Sequence, residues 1–301
     1  MSPKNRPNLE DVLLQALSRR KSQNQLRQLT TVPQGAADFS SNSYLSLPSN
    51  PAIQRAFLAK LQQASATSTT QSTPKSQGTI KAPPINLLGS GGSRLLDGNS
   101  AQAEALEHAI AAFHHAPAGL LFNSAMDANI GLFSCVPQAG DVIVYDELIH
   151  ASVHDGMRLS RAEQKIPFAH NQVYGSAANS ANPGRNKPLE TVLLGIQEDR
   201  HHITGSRNIF VAVEGAYSMD GDVAPLVEIV ECVERHLPRG NGHIIVDEAH
   251  SVGVLGDRGR GLVCQLGLED RVWSRVLGFG KALGCSGGEF MLGFKRRHRK
   301  T

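Results

Sequence analysis

Lys281 lies in a glycine-rich segment, LGFGKALGCSGG, which spans residues 277–288 and directly follows an apolar, strand-like stretch. A lysine on such a constrained loop at a strand's carboxyl end can have its amine pKa lowered by burial and by neighbouring cations, and the neutral amine is a nucleophile. We therefore interpret Lys281 as a candidate Schiff-base lysine. A phosphate-binding lysine, or one that is merely solvated, is the alternative that this segment leaves open.

Asp247 begins the letters DEAH, which follow the apolar stretch HIIV and end at His250. The same letters occur in nucleotide-driven helicases, but those proteins need an upstream phosphate loop, GxxxxGK followed by Ser or Thr, which this sequence does not contain. A carboxylate buried at a strand end could instead keep a pyridinium nitrogen protonated. A pyridoxal phosphate (PLP) ring requires that proton to act as an electron sink.

Two further segments carry side chains that could bind a ligand. His150 and His154 are four residues apart and could share a metal ion on a helix, but no third ligand has suitable spacing, so no metal is predicted. His150 could equally stack on a planar cofactor. Arg94, in GSGGSRLLDG, could contact a carboxylate or a phosphate through a bidentate pair of bonds. The absence of GxGxxG and GxSxG motifs argues against a dinucleotide-binding protein and a hydrolase.

The apolar pattern of the chain predicts an α/β protein with a mainly parallel sheet flanked by helices. Polar residues end three of the predicted strands, at Asp146, Glu214 and Asp247. Because the carboxyl ends of parallel strands line one crevice, we expect a single site assembled from several loops. The predicted strands cover residues 142–145, 209–213, 243–246 and 272–277, and the predicted helices cover 8–29, 101–115 and 226–236.

Composition restricts the class of protein further. The 301 residues are 40% hydrophobic and carry a formal net charge of +3, but five lysines and arginines lie within residues 295–301, so the rest of the chain is slightly acidic. Disordered, collagenous and coiled-coil classes are excluded, and a nucleic-acid partner is not expected. Four widely separated cysteines, no apolar run of membrane length and no signal peptide predict a soluble protein of a reducing compartment, the cytoplasm.

Three regions are expected along the chain. Residues 1–37 would form an N-terminal helix and arm, residues 38–294 one large cofactor-binding domain, and residues 295–301 a basic tail that is either a localisation signal or a solvated end. Residues 62–84, rich in Ser, Thr and Pro, are predicted to be a flexible insertion.

Taken together, the motifs resemble the PLP-dependent α-oxoamine synthases. The resemblance extends over residues 42–288 and covers these segments in order: NSYLSL, GSGGSRLLDGNS, ALE, FNSAMDAN, DELIHAS, FAHN, VEGAYSMDGDVAPL, VDEAHSVGVLGDRGRG and LGFGKALGCSGG. It implies the large domain of a fold-type-I PLP-dependent transferase. It also implies a homodimer that condenses an amino acid with an acyl-coenzyme A and releases carbon dioxide.

The resemblance also implies roles for individual residues. Lys281 would bind PLP as a Schiff base and act as a base, Asp247 would pair with the ring nitrogen, and His250 would approach the ring hydroxyl; these three are the expected catalytic residues.

The other positions that the resemblance assigns are expected to bind the cofactor alone. His150 would stack on the ring, Ser218 would approach the ring hydroxyl with His250, and Ala125 and Met126 would offer backbone amides to the phosphate.

Several positions depart from the family pattern. Gly278 stands where a Thr or Ser usually helps to bind phosphate, Ala103 replaces a usual His, and Gln172 replaces the Asp of FxHND. Ala125 and Met126 replace a Gly-aromatic pair. The family's C-terminal small domain is expected to be absent. The alternative is therefore a truncated, inactive chain or a partner subunit of a complete homologue, including one resembling serine palmitoyltransferase or 5-aminolevulinate synthase. A full-length form could carry a peroxisomal address.

Overall fold

The computed structural model describes residues 8–33, 35–70, 89–175, 186–198 and 207–293. The chain divides into two compact units, Met1–Ser41 and Asn42–Thr301. The predicted basic tail, and all of the predicted insertion beyond residue 70, lie outside the described residues. None of the described helices is long and apolar enough to cross a membrane.

The first unit contains one helix, α1 (Leu9–Ser22), among its described residues. Acidic side chains in its first turn and basic ones in its last turn complement the helix dipole, and none of its residues is buried. The helix is shorter than the predicted span of 8–29. It ends because Asn24 adopts a left-handed conformation, with φ of 55°, which an α-helix does not continue through.

The second unit is built on a seven-stranded sheet, as far as the described residues show. Its strands are β1 (Ala118–Phe122), β2 (Val142–Asp146), β3 (Gln164–Phe168), β4 (Ile209–Glu214), β5 (Gly242–Asp247), β6 (Ser274–Gly278) and β7 (Gly288–Leu292). Their order across the sheet is β1-β7-β6-β5-β4-β2-β3. The neighbours from β3 to β6 are parallel, whereas β7 runs antiparallel to both β1 and β6.

The second unit also contains seven helices among its described residues, and helices pack on both faces of the sheet. They are α2 (Pro51–Thr70), α3 (Ala101–Phe113), α4 (Ala125–Cys135), α5 (Ala151–Leu159), α6 (Leu189–Gln197), α7 (Leu226–His236) and the short α8 (Leu262–Gln265), with 3-10 turns at Leu47–Ser49 and Asp257–Gly259. One apolar core joins α6 and α7 to the sheet, and a second joins α4 and α5 to its opposite face. The predicted class, α/β with a mainly parallel sheet, is confirmed.

Parallel pairing brings the acidic strand ends together. Glu214 of β4 lies opposite Asp247 of β5 in register, and Asp247 lies opposite Val276 of β6. Partners in register point to the same face of a sheet, so both carboxyl groups face the same side. The loop that carries Lys281 follows β6 at the same carboxyl end of the parallel strands.

Two groups of sequence predictions differ from the structure. The helix α2 continues to Thr70, so the first nine residues of the predicted insertion are helical; the stretch QQASATSTT contains neither Gly nor Pro to end a helix. The strands β1, β3 and β7 were not predicted. The strand β3 is an edge strand that contains Pro167, and β7 contains the buried Glu289, so neither has the continuous apolar pattern of a central strand.

Candidate active site

A cavity of about 330 Å³ lies where β4, β5 and β6 end and α4 begins. Six of the seven predicted site residues line it: Ala125, Met126, His150, Asp247, His250 and Lys281. Its other lining residues are Asn123, Ser124, Asn129, Ser152, Glu214, Ala249, Gly278, Gly280, Ser286 and Gly287. A larger cavity of about 490 Å³ beside β3 and α6 contains none of the predicted residues.

The amino end of α4 forms one wall of the smaller cavity. Ser124 caps the helix, because its hydroxyl accepts a hydrogen bond of 3.0 Å from the backbone N–H of Asp127. Ala125 and Met126 form the first turn, where backbone N–H groups have no partner within the helix and the dipole favours an anion. Gly288 of β7 packs so closely that a Cβ there would lie 2.5 Å from the nitrogen of Ala125.

The carboxylate of Asp247 is buried and held by two donors. Its Oδ1 accepts a 2.9 Å bond from the backbone N–H of Ala249, and its Oδ2 accepts a 2.7 Å bond from the Nδ2 of Asn129. The same Asn129 amide donates to the Oγ of Ser152 at 3.0 Å. These contacts fix the direction of the Asp247 carboxylate at the cavity wall.

His150 joins the same network through Ser152. Its Nδ1 accepts a 3.2 Å bond from the backbone N–H of Ser152 and lies 2.7 Å from the Ser152 hydroxyl. Because that backbone N–H can only donate, Nδ1 carries no proton in this arrangement, and the ring proton is on Nε2. Hydrogen bonds thus connect His150 to Asp247 through Ser152 and Asn129.

The amine of Lys281 shares the cavity with the carboxyl group of Glu214. Burial lowers the pKa of Lys281, while Asp247 and Glu214 oppose that shift. Burial, and next the charge of Asp247, raise the pKa of Glu214 to about 8, although Glu214 accepts a hydrogen bond from the backbone N–H of His150. Near pH 7 the Glu214 carboxyl is therefore mainly neutral, and a larger share of Lys281 is the nucleophilic free amine than at an exposed site.

His250 is half-buried and neutral near pH 7. Burial, followed by the charge of Lys281, lowers its pKa to about 4, against the opposing effect of Asp247. Its Nδ1 lies 2.7 Å from the hydroxyl of Tyr44, which comes from the NSYLSL segment. His250 can therefore exchange hydrogen bonds in the cavity without introducing a second positive charge beside Lys281.

The set of groups around the cavity fits PLP. A primary amine suits its aldehyde, a fixed carboxylate suits a protonated ring nitrogen, and a helix amino end suits its phosphate. Three small residues of the lining, Gly278, Ala249 and Ala125, pack closely together. A Cβ at Gly278 would lie 2.9 Å from the Cβ of Ala249 and 3.4 Å from that of Ala125, so the absence of a side chain at Gly278 leaves room in the cavity.

Ser218 is the predicted site residue that the structure does not bring to the cavity lining. It is exposed in the turn that follows β4. That turn is fixed by His170, whose Nδ1 lies 2.8 Å from Asp146 Oδ1 and whose Nε2 lies 2.7 Å from Asp222 Oδ2. The FAHN segment therefore anchors the turn that carries Ser218.

Other residues identified in the sequence have structural partners. Arg94 makes the expected bidentate contact, and its partner is the Glu107 carboxylate. Glu248 of the DEAH letters is fully buried and accepts a 3.0 Å bond from the backbone N–H of Val263, which attaches the first turn of α8 to the end of β5.

Neither His150 nor His154 belongs to a metal-binding arrangement among the described residues. The one group there whose ligand atoms lie close enough to share an ion comprises His115, Cys264 and Glu269. Its thiol accepts a hydrogen bond of 3.1 Å from the guanidinium of Arg275, a positive charge that disfavours a cation at that position.

Sequence reasoning missed Asn129 and Ser152 as parts of the site. Both lie in segments that carry the family resemblance, FNSAMDAN and DELIHAS, but neither stands at a strand end. The sequence contained one signal for Asn129. It lies four residues after Ala125, and residues four apart lie on the same face of a helix, so Asn129 faces the same way as the start of α4.

Comparison with known proteins identifies the family. The model of the family described as aminotransferase class I and II matches residues 36–292. An 8-amino-7-oxononanoate synthase of Emericella nidulans is 52% identical over 280 residues, which cover 93% of this chain and 60% of that protein. The aminoacyl transferase sphA of Aspergillus fumigatus is 41% identical over 252 residues, which cover 84% of this chain and 47% of that protein.

The fold also matches solved structures. The serine palmitoyltransferase of Sphingomonas wittichii superposes with a TM-score of 0.68 at 24% identity, over 97% of this chain and 65% of that one. The chain thus spans between about half and two thirds of the length of these relatives. With the family match extending over most of its residues, the chain belongs to the aminotransferase class I and II family of PLP-dependent transferases.

Proposed function

We propose that this chain provides the PLP-binding domain of an 8-amino-7-oxononanoate synthase. Such an enzyme condenses alanine with pimeloyl-coenzyme A, with loss of carbon dioxide, in biotin biosynthesis. The observation that carries the proposal is the convergence of Lys281, Asp247, His150 and His250 on one cavity beside a helix amino end. The choice of reaction rests on the 52% identity to the Emericella nidulans protein of that name, against 41% to the aminoacyl transferase.

The residues that would hold PLP are those whose chemistry matches its groups. Lys281 would bond to it covalently, Asp247 would pair with its ring nitrogen, and His150 would lie against its ring. The first turn of α4, at Ala125 and Met126, would bind its phosphate. When bound, PLP supplies an electron sink for negative charge at the α-carbon of an amino acid.

The side chains of this chain would perform the proton movements. Burial lowers the pKa of Lys281, so a larger share of its amine is neutral than at an exposed site, and a neutral Nζ can take the proton from the α-carbon. Asp247 keeps its orientation through Asn129 and Ala249, and a fixed carboxylate stabilises a positive charge on its partner without reorganising. His250, neutral near pH 7, would donate or accept one hydrogen bond at the cavity edge.

A direct test adds PLP to the purified chain. We expect a visible absorbance band, and borohydride reduction should fix the added mass on Lys281. The variant Lys281→Ala should lose both signals, whereas Lys165→Ala, which removes an exposed lysine on β3, should retain them. A chain that binds no PLP, or that retains the band in Lys281→Ala, would contradict the proposal.

Substrate choice needs a separate measurement. Release of coenzyme A from pimeloyl-coenzyme A should depend on alanine and on Lys281. Faster release from palmitoyl-coenzyme A with serine would favour the serine palmitoyltransferase reaction, for which the fold neighbour is named. Cofactor binding without turnover of either pair would favour the alternative, a cofactor-binding subunit that works with a complete homologue.

A second copy of the chain is the proposed partner. Large apolar side chains are exposed on α2 and in the segment GSGGSRLLDG, which spans residues 89–98. They are Ile53, Phe57, Leu58, Leu61, Leu95 and Leu96. Ile53, Phe57 and Leu61 recur every four residues on α2 and so lie on one helix face, and an exposed apolar face supports an interface with another protein chain. Sedimentation of the purified chain should give the mass of a dimer, and a monomer at micromolar concentration would contradict this part of the proposal.

We also propose a cytoplasmic location. The four cysteines, Cys135, Cys232, Cys264 and Cys285, are all free, as expected in a reducing compartment. Fractionation of cells that express the tagged chain tests this location, and recovery with peroxisomes would contradict it.

A further inference from the structure

Tyr44 reaches the candidate site from a segment distant in sequence. Its hydroxyl lies 2.7 Å from the Nδ1 of His250, across a separation of 206 residues, and the two rings lie 6.1 Å apart. The proposed function uses His250 but gives Tyr44 no part. The NSYLSL segment therefore contributes a contact to a residue of the cavity lining, His250, that none of the assigned roles explains.

The segment that carries Tyr44 packs against both loops that bear site residues. Pro48 lies so close to Gly284, on the Lys281 loop, that a Cβ there would come within 2.3 Å of its ring. Gly284 has φ of +64°, which also favours glycine. On the other side, Leu45 approaches Gly253, in the loop after His250, to within 3.5 Å of the position of a Cβ. Tyr44 is thus placed by packing on either side of it.

The phenolic proton of Tyr44 has two possible acceptors, Nδ1 of His250 and Oδ1 of Asn42. The Tyr44 oxygen lies 2.7 Å from His250 Nδ1 but 3.3 Å from Asn42 Oδ1. Hydrogen bonds donated by a hydroxyl to an oxygen acceptor are commonly about 2.7–2.8 Å long, and on this basis we assign the proton of Tyr44 to the shorter contact, with His250. A neutral imidazole has one protonated and one unprotonated nitrogen, and a ring that accepts at Nδ1 carries its proton on Nε2.

We propose that Tyr44 is a positioning residue: its hydroxyl donates to Nδ1 of His250 and thereby holds the ring in the tautomer that presents Nε2–H to the cavity. The proposal rests on the proposed function, because a donor at this position suits the ring oxygen of PLP. Lys281, Asp247 and His150 are the charged or titratable groups that act on the same ring, and none of them is the partner of Nδ1.

The tautomer can be measured directly, without cofactor. Long-range proton–nitrogen NMR on the full chain, labelled with nitrogen-15 histidine, distinguishes protonated from unprotonated ring nitrogens, and His250→Gln identifies the signals. In the native chain we expect Nδ1 of His250 to be unprotonated and Nε2 protonated. A native ring with its proton on Nδ1 would overturn the proposal, whatever the variants show.

Three variants separate the roles of the neighbouring groups. Tyr44→Phe should shift His250 to a mixture of both tautomers, while Tyr174→Phe, which removes an exposed hydroxyl elsewhere, should leave it unchanged. Asn42→Ala should also leave it unchanged, because the proposal gives the phenolic proton to His250 and not to Asn42. An unaltered tautomer in Tyr44→Phe would contradict the proposal.

The consequence for the cofactor is measured separately. Loss of one ordered hydrogen bond should weaken the equilibrium binding of PLP by about three- to tenfold in Tyr44→Phe, by titration of the visible band. Unchanged affinity would contradict the positioning role. If the native chain forms no band, the proposed function fails, whereas the NMR measurement still decides the contact between Tyr44 and His250.

Discussion

The amide of Asn129 on α4 donates a 2.7 Å hydrogen bond to the buried carboxylate of Asp247 at the end of β5. The two residues are 118 positions apart in the chain, and the same amide also donates to Ser152. The Asn129 side chain, together with the N–H of Ala249, therefore sets the direction of the Asp247 carboxylate. The same side chain connects that carboxylate to the first turn of α5.

Removal of this amide should affect both stability and cofactor binding. In Asn129→Ala, Asp247 and Ser152 lose a buried donor, which should lower the free energy of unfolding by about 1–3 kcal/mol. Urea unfolding measures the loss, and PLP titration should show weaker binding. Ser134→Ala, on the same helix but outside the cavity, is the control. Native-like PLP affinity in Asn129→Ala would show that Asp247 does not need this donor.

Position 278 should not tolerate the Ser or Thr that the family pattern usually places there. A Cβ at this position lies 2.9 Å from the Cβ of Ala249, closer than real side chains come. We expect Gly278→Ser to lower the free energy of unfolding by about 1–3 kcal/mol through overpacking, rather than to improve phosphate binding. The double variant Gly278→Ser with Ala249→Gly should recover part of the loss. Tighter PLP binding in the single variant would contradict the expectation.

His170 should make the turn after β4 sensitive to pH. Burial lowers the pKa of His170, but its hydrogen bonds to Asp146 and Asp222 outweigh burial and raise that pKa above 6.5. A raised pKa stabilises the fold fully below pH 6.5, and the contribution is lost as the pH rises through the folded value.

The variant His170→Ala should therefore cost more stability at pH 6 than at pH 9. We expect a loss of about 1–2 kcal/mol at the lower pH, because charge-assisted hydrogen bonds to partly exposed groups are of this size. Urea unfolding at both pH values measures the difference, with the exposed His108→Ala as control. An equal loss at both pH values would contradict this prediction, because it would mean that the protonation of His170 does not change over the range.

Glu289 should destabilise the fold as the pH rises. It is fully buried on β7, and neither carboxylate oxygen has a hydrogen-bond partner among the described residues. Burial, and next the charge of Glu107, raise its pKa from 4.5 to about 8. Its favourable contribution is complete below pH 4.5 and decreases between pH 4.5 and about 8, by at most about 1.4 kcal/mol per pH unit.

The variant Glu289→Gln removes that titration and keeps the shape of the side chain. Relative to the native chain, its free energy of unfolding should increase steadily from pH 5 to pH 8. Equilibrium unfolding across this range provides the measurement, and PLP affinity should not change, because Glu289 is not in the cavity lining. A constant difference across the range would show that the carboxyl does not titrate there.

Much of the fold could be predicted from local patterns. The helix Leu226–His236 has the predicted bounds, β2 and β4 are one residue longer than predicted at one end, and β5 is one residue longer at each end. Strands buried on both faces have continuous apolar runs, which a sequence displays directly. The strand β7 has no such run, because Glu289 interrupts it.

The sequence by itself determined the α/β class and the placement of Asp247 and Lys281 at one edge of the sheet, because parallel strands end on the same side. Tertiary structure decided which side chains meet there. The contacts of Asn129 with Asp247 and of Tyr44 with His250 join segments that no spacing relates, and the exposed position of Ser218 depends on how its turn packs. Such contacts depend on the order of the strands in the sheet and on the close approach of its loops, and neither follows from residue type or local periodicity.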